Sequence, residues 1–155
     1  MVETVRMILK KKGNAIWTLP PEATVYEAIR MMAEKSAGAM LVVSDGKLVG
    51  IISERDYARK VILKGKLSRE TKVSEIMSSP VTTVDPERTA DECMRLVTEK
   101  HIRHLPVIDR GELVGVISIG DLVKAIVSVQ AETIQHLSDY IEGRHPQAVA
   151  SPLLK

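Results

Sequence analysis

Two Ser-x-x-Asp pairs are the residues of this sequence whose types and spacing most clearly suggest chemistry. Ser53 and Asp56 stand in the stretch GKLVGIISERD, and Ser118 and Asp121 stand in the similar stretch GELVGVISIGD. In each stretch an apolar run ends at the serine, where a helix is predicted to begin. A helix N-terminus with a serine hydroxyl suits a phosphate, and a carboxylate can accept from both hydroxyls of a ribose. The pairs therefore fit a ligand that carries a sugar diol and a phosphate.

The same spacing is also that of a capping box, which would stabilise each helix without any ligand. Two details favour the ligand. Aspartate is shorter than the Glu or Gln usual at the third helical position, so its reach back to the cap is expected to be poor. Gly50 and Gly115 precede the two serines by three residues, where a strand gains nothing from glycine unless something approaches its backbone. Both interpretations remain open from spacing alone.

The two stretches belong to an internal duplication. Residues 18–56 align without a gap with residues 83–121, and 16 of the 39 pairs are identical. Each copy reads as a short strand, an amphipathic helix, two apolar strands around a turn with glycine, and a second helix that starts at the serine. A unit of this size is too small to bury a core alone, so two units are expected to share one about an approximate twofold axis. The predicted fold is α+β, with two β-α-β-β-α repeats.

Bulk properties exclude several classes of function. The 155-residue chain has a formal net charge of +2, which is too small to indicate nucleic acid or an anionic membrane as a partner. Aromatic residues make up 3% of the chain and Phe is absent, so stacking platforms for single strands are lacking. One cysteine suits a reducing compartment, and no apolar run has the length of a membrane span. We therefore expect a cytoplasmic protein that binds neither nucleic acid nor membrane.

The stretches GIISERD, GVISIGD and HLPVIDRGELVGVIS, together with the duplication, resemble the paired cystathionine-β-synthase-type (CBS) domains, or Bateman modules. The resemblance spans residues 2 to about 128 and is closest to small CBS-pair proteins. It implies a regulatory module that binds an adenosine compound, namely AMP, ADP, ATP, S-adenosylmethionine or NAD(H). It also implies that each cleft joins the aspartate of one repeat to the first strand and the hairpin entry of the other.

Residue by residue, the resemblance assigns two clefts. The first comprises Ser53, Arg55, Asp56, Thr83, Arg103, His104 and Pro106. The second comprises Ser118, Asp121, Thr18, Ala39 and Leu41. Arg55 matches Gly120 in the alignment, and His104 matches Ala39, so the cationic groups are concentrated in the first cleft. Because arginine can form two bonds with a phosphate, we expect AMP to bind better there.

Other functions have weaker support in the sequence. Cys93 with His101 and His104 fits no common zinc spacing, so no metal is expected. No nucleophile stands beside a base, and the two aspartates fall in separate clefts, so we expect a regulator rather than an enzyme. The basic residues Arg59, Lys60 and Lys64 are interpreted as a solvated helix face. The alternative function is a dimerising scaffold whose clefts have degenerated.

The sequence divides into four parts: repeat 1 with a lead-in helix at 1–66, repeat 2 at 67–128, a C-terminal helix at 129–143 and a flexible tail at 144–155. Ile134, Leu137 and Ile141 form an apolar stripe on the C-terminal helix, widened by Tyr140. Since the shared core is already complete, this stripe predicts a homodimer. The protein target of the module is unknown from the sequence.

Overall fold

The computed structural model describes residues 2–141 and confirms the α+β class with two similar repeats. The first repeat contains β1 (Thr18–Leu19), α2 (Val25–Lys35), β2 (Ala39–Ser44), β3 (Lys47–Ser53), α3 (Glu54–Tyr57) and a π-helical segment (Ala58–Ile62). The second contains α5 (Ala90–Lys100), β4 (His104–Asp109), β5 (Glu112–Ser118) and α6 (Ile119–Ile141). Two lead-in helices, α1 (Val5–Lys12) and α4 (Val73–Ile76), precede the repeats.

Each repeat forms a small sheet around an antiparallel hairpin. In the first sheet, β1 lies parallel to β2, with Thr18 opposite Leu41, and β3 lies antiparallel to β2. In the second sheet, β4 and β5 pair in the same register, and Val84 forms a parallel bridge to Val107 in place of a full outer strand. The two hairpins therefore present their serines, at the ends of β3 and β5, in corresponding positions.

The predicted hairpin turns are confirmed at both positions. Asp45 and Gly46 have φ angles of 51° and 76°, and Arg110 and Gly111 have φ angles of 52° and 81°. Two successive residues with positive φ form the type of turn whose twist matches that of paired strands. Glycine at the second position avoids the steric cost that a side chain would meet there.

The lead-in helices exchange between the repeats. Val5 and Ile8 of α1 are buried in the core of the second repeat, whereas Val73 and Ile76 of α4 are buried in the core of the first. Backbone hydrogen bonds fix this exchange, from Val5 N to Arg88 O at 2.8 Å and from Val73 N to Ala23 O at 2.8 Å. The first lead-in helix is thus next to repeat 1 in sequence but packs on repeat 2.

The exchange also explains Gly50 and Gly115, for which the sequence interpretation is wrong. A Cβ atom on Gly50 would lie 2.3 Å from Met77 Sδ, and one on Gly115 would lie 2.6 Å from Leu9 Cδ2. Leu9 belongs to α1, and Met77 follows α4 directly. These glycines therefore admit side chains of the lead-in segments, and the approach of a ligand is not needed to account for them.

The final helix differs from its prediction. α6 runs unbroken from Ile119 to Ile141, so the second helix of repeat 2 and the predicted C-terminal helix are one element of 23 residues. Leu122 and Ala125 are buried against the second core, and the later residues extend past it. The predicted end of this helix at residue 143 and the tail at 144–155 lie outside the described residues. No helix within residues 2–141 is long and apolar enough to cross a membrane.

Candidate functional site

A cavity of about 480 Å³ opens between the two repeats at the start of α3. The first repeat contributes Gly38, Ile51, Ser53, Glu54, Arg55, Asp56, Arg59 and Lys60. The second repeat and the segment before it contribute Ser78, Pro80, Val81, Thr82, His101, Ile102, Arg103 and His104. Its volume is that of a site for a small molecule, and its lining includes both apolar and charged side chains.

Asp56 is one of the charged residues of the lining and is held by its own helix. Its Oδ2 accepts from Ser53 N at 2.9 Å and from Ser53 Oγ at 3.1 Å, while Ser53 Oγ lies 3.2 Å from Asp56 N. This is a complete capping box, so the expectation that aspartate is too short for the reach back is wrong. The Lys60 Nζ lies 3.1 Å from Asp56 Oδ1. The carboxylate is thus oriented before any ligand binds.

Four cationic side chains line the same cavity. Lys60 is engaged by Asp56 and also donates to Ile76 O at 3.0 Å. Within residues 2–141, the guanidinium groups of Arg55, Arg59 and Arg103 make no ion pair or hydrogen bond. The four cations outnumber the two acidic residues of the lining, Glu54 and Asp56, so this charged wall has an excess of positive charge, which is the arrangement that anions favour.

His104 lies between this cavity and the start of α6. A Cβ on Gly38 would be 3.4 Å from its Nε2, and the backbone of His104 pairs with Ser118. Burial lowers the pKa of His104, the charges of Lys12 and Arg103 lower it further, and Asp121 opposes them. The imidazole is therefore neutral at pH 7, and an anion beside it would favour the protonated form.

The structure brings together five of the seven residues assigned to the first cleft: Ser53, Arg55, Asp56, Arg103 and His104. Thr83 instead lines a neighbouring cavity of about 540 Å³, which shares Pro80 and Val81 with the first and also contains Lys47. Pro106 is buried, and its carbonyl accepts from Val84 N at 3.1 Å. Neither Thr83 nor Pro106 contributes to the charged wall.

Sequence reasoning missed two residues of that wall, Arg59 and Lys60, which had been interpreted as a solvated face. Both line the cavity. Their spacing could have indicated this, because Arg59 follows Arg55 by four residues and Lys60 follows Asp56 by four. Residues four apart on a helix face the same side, and Arg55 and Asp56 were already assigned to the cleft.

The second predicted cleft contains a cation from the chain itself. Lys12 Nζ, at the end of α1, lies 2.6 Å from Asp121 Oδ2 and donates to Val116 O at 2.9 Å. Ser118 and Asp121 form the same two capping bonds as Ser53 and Asp56, from Ser118 N to Asp121 Oδ2 at 2.8 Å and from Asp121 N to Ser118 Oγ at 3.1 Å. Burial acts to raise the pKa of Asp121, but the bonds from Lys12 and Ser118 outweigh it and leave the pKa below its usual value.

The other residues assigned to the second cleft form part of the first sheet. Leu41 is 2% exposed and is paired with Thr18, and Ala39 is paired with Ser53. None of these three lines either of the two cavities described above. The two Ser-x-x-Asp pairs are therefore alike in local structure and different in surroundings.

Cys93 and the two histidines of interest are separated by the fold. Cys93 is buried in the core of the second repeat, and burial raises the pKa of its thiol to about 11. His101 and His104 line the cavity instead. A thiol with this pKa stays protonated and packs as a small apolar side chain.

Comparison with known proteins identifies the fold family. The CBS domain family matches residues 8–63 and 73–128. A mitochondrial CBS domain-containing protein of Arabidopsis thaliana, CBSX3, is 40% identical over 150 residues, which cover 90% of this chain and 72% of the relative. A solved CBS-domain protein from Burkholderia ambifaria MC40-6 is 51% identical, with a TM-score of 0.78, over 81% of this chain and 94% of that one.

A more distant structure shares the fold alone. The CBS domain pair of protein MJ0100, solved in complex with 5-methylthioadenosine and S-adenosyl-L-methionine, is 24% identical, with a TM-score of 0.73. The match covers 83% of this chain and 98% of that one. Two matched domains, close relatives of the same kind and the shared architecture agree: this chain belongs to the CBS domain family and contains a pair of CBS domains.

Proposed function

We propose that the chain is a regulatory module that binds an adenine nucleotide in the 480 Å³ cavity between its repeats. CBS pairs commonly bind adenosine ligands and act in regulation. The single observation that carries the proposal is that one cavity is lined by a pre-oriented carboxylate, Asp56, and by cations from both repeats. The carboxylate suits the ribose hydroxyls, and the guanidinium groups of Arg55 and Arg103 suit the phosphate.

The lining gives the nucleotide an orientation. Ile51, Pro80, Val81 and Ile102 form the apolar part of the wall and would contact the base. Asp56 already accepts two hydrogen bonds at Oδ2 and forms an ion pair with Lys60 at Oδ1, and a carboxylate offers about four lone-pair positions. To accept both ribose hydroxyls, Asp56 must therefore lose its contact with Lys60 at Oδ1. The released ammonium group of Lys60 can then turn towards the phosphate.

The regulatory mechanism follows from the position of the cavity. A nucleotide that contacts Asp56 of one repeat and Arg103 of the other binds best when the repeats are close. The nucleotide therefore stabilises the arrangement with the repeats close together, to the extent that it binds this arrangement more tightly than one with the repeats apart. A partner protein can recognise this change in the arrangement of the repeats. The partner and the cytoplasmic location stay predictions, and so does the absence of catalytic activity.

The second candidate function is a dimerising scaffold with degenerate clefts. It is favoured by the capping boxes at Ser53 and Ser118, since these account for both Ser-x-x-Asp pairs without a ligand. Isothermal titration of AMP, ADP and ATP into the purified chain, after removal of carried-over ligand by unfolding and refolding, separates the two. Saturable binding of any of them supports the nucleotide module. Absence of binding by all three contradicts it and favours the scaffold.

We also propose that the module is a homodimer. The far part of α6 carries large apolar residues in water, with Ile134 68%, Leu137 58% and Ile141 57% exposed. Val123 and Val127, nearer the core on the same helix, are also exposed. A second copy of the chain, offering the same helix, would cover these side chains in an isologous contact.

A further inference from the structure

The exposed apolar side chains of α6 recur with the heptad spacing of a coiled coil. In such a heptad, labelled a to g, positions a and d face the partner helix. On α6 the a positions are Val127, Ile134 and Ile141, and the d positions are Val123, Gln130 and Leu137. All six side chains are exposed, so they form one uncovered row along the helix, called here the seam. A row with this period is the kind that two helices bury by winding around each other.

The seam and the core-facing side of α6 are different faces of the helix. Leu122 and Ala125 anchor the helix in the second core, and they lie about a third of a turn away from the seam. The core therefore holds the start of α6 and leaves the seam open along its length. Because the first turns are already fixed by the core, the far part of the helix avoids the unfavourable first step of helix formation.

The composition of the seam suits a second copy of the same helix. The five apolar side chains are between 48% and 68% exposed, so two copies together would bury on the order of 1,000 Å², the size from which an interface is specific. Beyond Val127 the flanking positions e and g hold no charged residue: they are Ala131, Thr133, Ser138 and Tyr140. Charges at these positions set partner choice in coiled coils, so nothing there repels an identical helix or favours a different one.

Gln130 determines the direction in which the two helices run. In a parallel pair in register, each d residue faces its own counterpart, so the two Gln130 amides meet and can form hydrogen bonds with each other. In an antiparallel pair, d faces a, so Gln130 would face Ile134 or Ile141 and its amide would be buried without a partner. The β-branched residues at a and the leucine at d also favour two parallel strands.

We infer that α6 of two copies pairs in parallel and in register from Val123 to Ile141, as a two-stranded coiled coil in which the two Gln130 side chains face each other. This inference rests on the proposed homodimer and adds the contact surface, the direction of the helices and their register. The apolar layers supply the stability of the contact, and Gln130 supplies its direction.

The test is disulfide cross-linking of cysteine variants under mild oxidation, with sedimentation velocity on the same proteins beforehand. The variants are Val127→Cys and Ile141→Cys at the two ends of the seam, with Glu132→Cys on the outer side of α6 as the matched control. Cys93 is buried, so the unchanged chain gives the baseline. A disulfide needs Cα atoms within about 7 Å, which a parallel pair provides at every a position. In an antiparallel pair, residue 127 of one copy lies about 15 Å or more from residue 127 of the other, and the same holds for residue 141.

We expect most of Val127→Cys and most of Ile141→Cys to shift to the linked dimer, each with itself, and Glu132→Cys to stay at the baseline. A link that forms only when Val127→Cys and Ile141→Cys are mixed shows antiparallel helices and overturns the inference, while the homodimer stands. Dimers in sedimentation that link in neither variant also overturn it, because another surface then makes the contact. A full-length chain that sediments as a monomer overturns the proposed homodimer itself.

Gln130→Leu tests the residue that sets the direction. Its association should be about tenfold or more tighter, because an apolar pair replaces two buried amides. In that background the mixed link between Val127→Cys and Ile141→Cys should appear beside the self-links, since antiparallel pairing no longer buries an unpaired amide. Unchanged or weaker association of Gln130→Leu would place Gln130 outside the contact and overturn the register.

Discussion

Lys12 Nζ lies 2.6 Å from Asp121 Oδ2, so a helix at the start of the chain supplies the cation at the second Ser-x-x-Asp site. At the first site the corresponding carboxylate, Asp56, pairs with Lys60 of its own helix and faces an open cavity with three further guanidinium groups. Duplication produced two equivalent carboxylates. The packing of the lead-in helices gives Asp56 and Asp121 different neighbours. The proposed binding site is therefore the cavity at Asp56.

This difference predicts that AMP binds once per chain, at Asp56. Asp56→Ala should weaken AMP by about 2–4 kcal/mol, because two hydroxyl bonds to a charged acceptor are lost. Asp121→Ala is the matched control, since both variants lose the same capping box, which contributes about 1 kcal/mol to stability. Titration calorimetry measures both affinities. Equal losses in the two variants would contradict the asymmetry.

A second prediction concerns the first phosphate. Arg55→Ala and Arg103→Ala should each weaken AMP by about 1.5–3 kcal/mol and leave adenosine nearly unaffected, because the nucleoside lacks the group that these side chains bind. Neither guanidinium has an ion pair within residues 2–141, so its removal leaves no buried partner behind. Competition binding with both ligands checks the expectation. If both ligands lose affinity alike, the arginines have a structural role.

A third prediction follows from His104. Burial holds its pKa below the usual value in the free protein, so the ring is neutral at pH 7. A phosphate beside it would favour the imidazolium, so binding should take up a proton, and the affinity for AMP should rise as the pH falls from about 8 to about 6. Calorimetry in two buffers of different ionisation enthalpy measures the uptake. His104→Gln should abolish the part of the uptake due to the protein, and persistence of the full uptake in that variant would exclude His104 as its source.

A fourth prediction tests the packing of the lead-in segments. In Gly50→Ala the new methyl group would lie 2.3 Å from Met77 Sδ and 2.8 Å from its Cγ, so the free energy of unfolding should fall by about 1–3 kcal/mol. Met77→Ala should cost stability on its own, and adding Gly50→Ala to it should cost much less than in the full chain. Denaturant titration of the unchanged chain, the two single variants and the double variant gives the four free energies of unfolding that this double-mutant cycle compares. Additive losses would show that Met77 is not the neighbour that requires a glycine.

Many elements of this fold could be predicted from the sequence, because they depend on short-range sequence patterns and those patterns occur in both repeats. The hairpin strands, the turns at Gly46 and Gly111 and the helix starts at Ser53 and Ser118 all follow from short-range patterns and occur in both copies, whereas the outer strand forms fully only in the first. The exchange of lead-in helices could not be predicted, since it depends on contacts such as Leu9 with Gly115, more than a hundred residues apart. That exchange is also the reason that the side-chain neighbours of the two glycines escaped the sequence analysis.

The last prediction is that the chain is a homodimer in which the far part of α6 takes part. α6 continues past the second core as one helix, and its apolar side chains there, Ile134, Leu137 and Ile141, are more than half exposed. An isolated helical extension of this length is marginal in water, so a partner helix that covers these residues would stabilise it. A chain ended at Val129 should therefore dimerise more weakly than the full chain.

Nucleotide binding should survive that truncation, because every residue assigned to the cavity precedes Val129. Leu137→Glu provides a second variant that keeps the whole helix, and Glu132→Gln provides a control on the same helix outside the apolar stripe. Sedimentation velocity over a range of concentrations measures the association of each protein. Association should weaken in the truncated chain and in Leu137→Glu, since a buried charge without a partner is costly, and should be retained in Glu132→Gln. A full-length chain that sediments as a monomer at tens of micromolar would contradict the dimer, and loss of nucleotide binding on truncation would show that α6 helps to close the cavity.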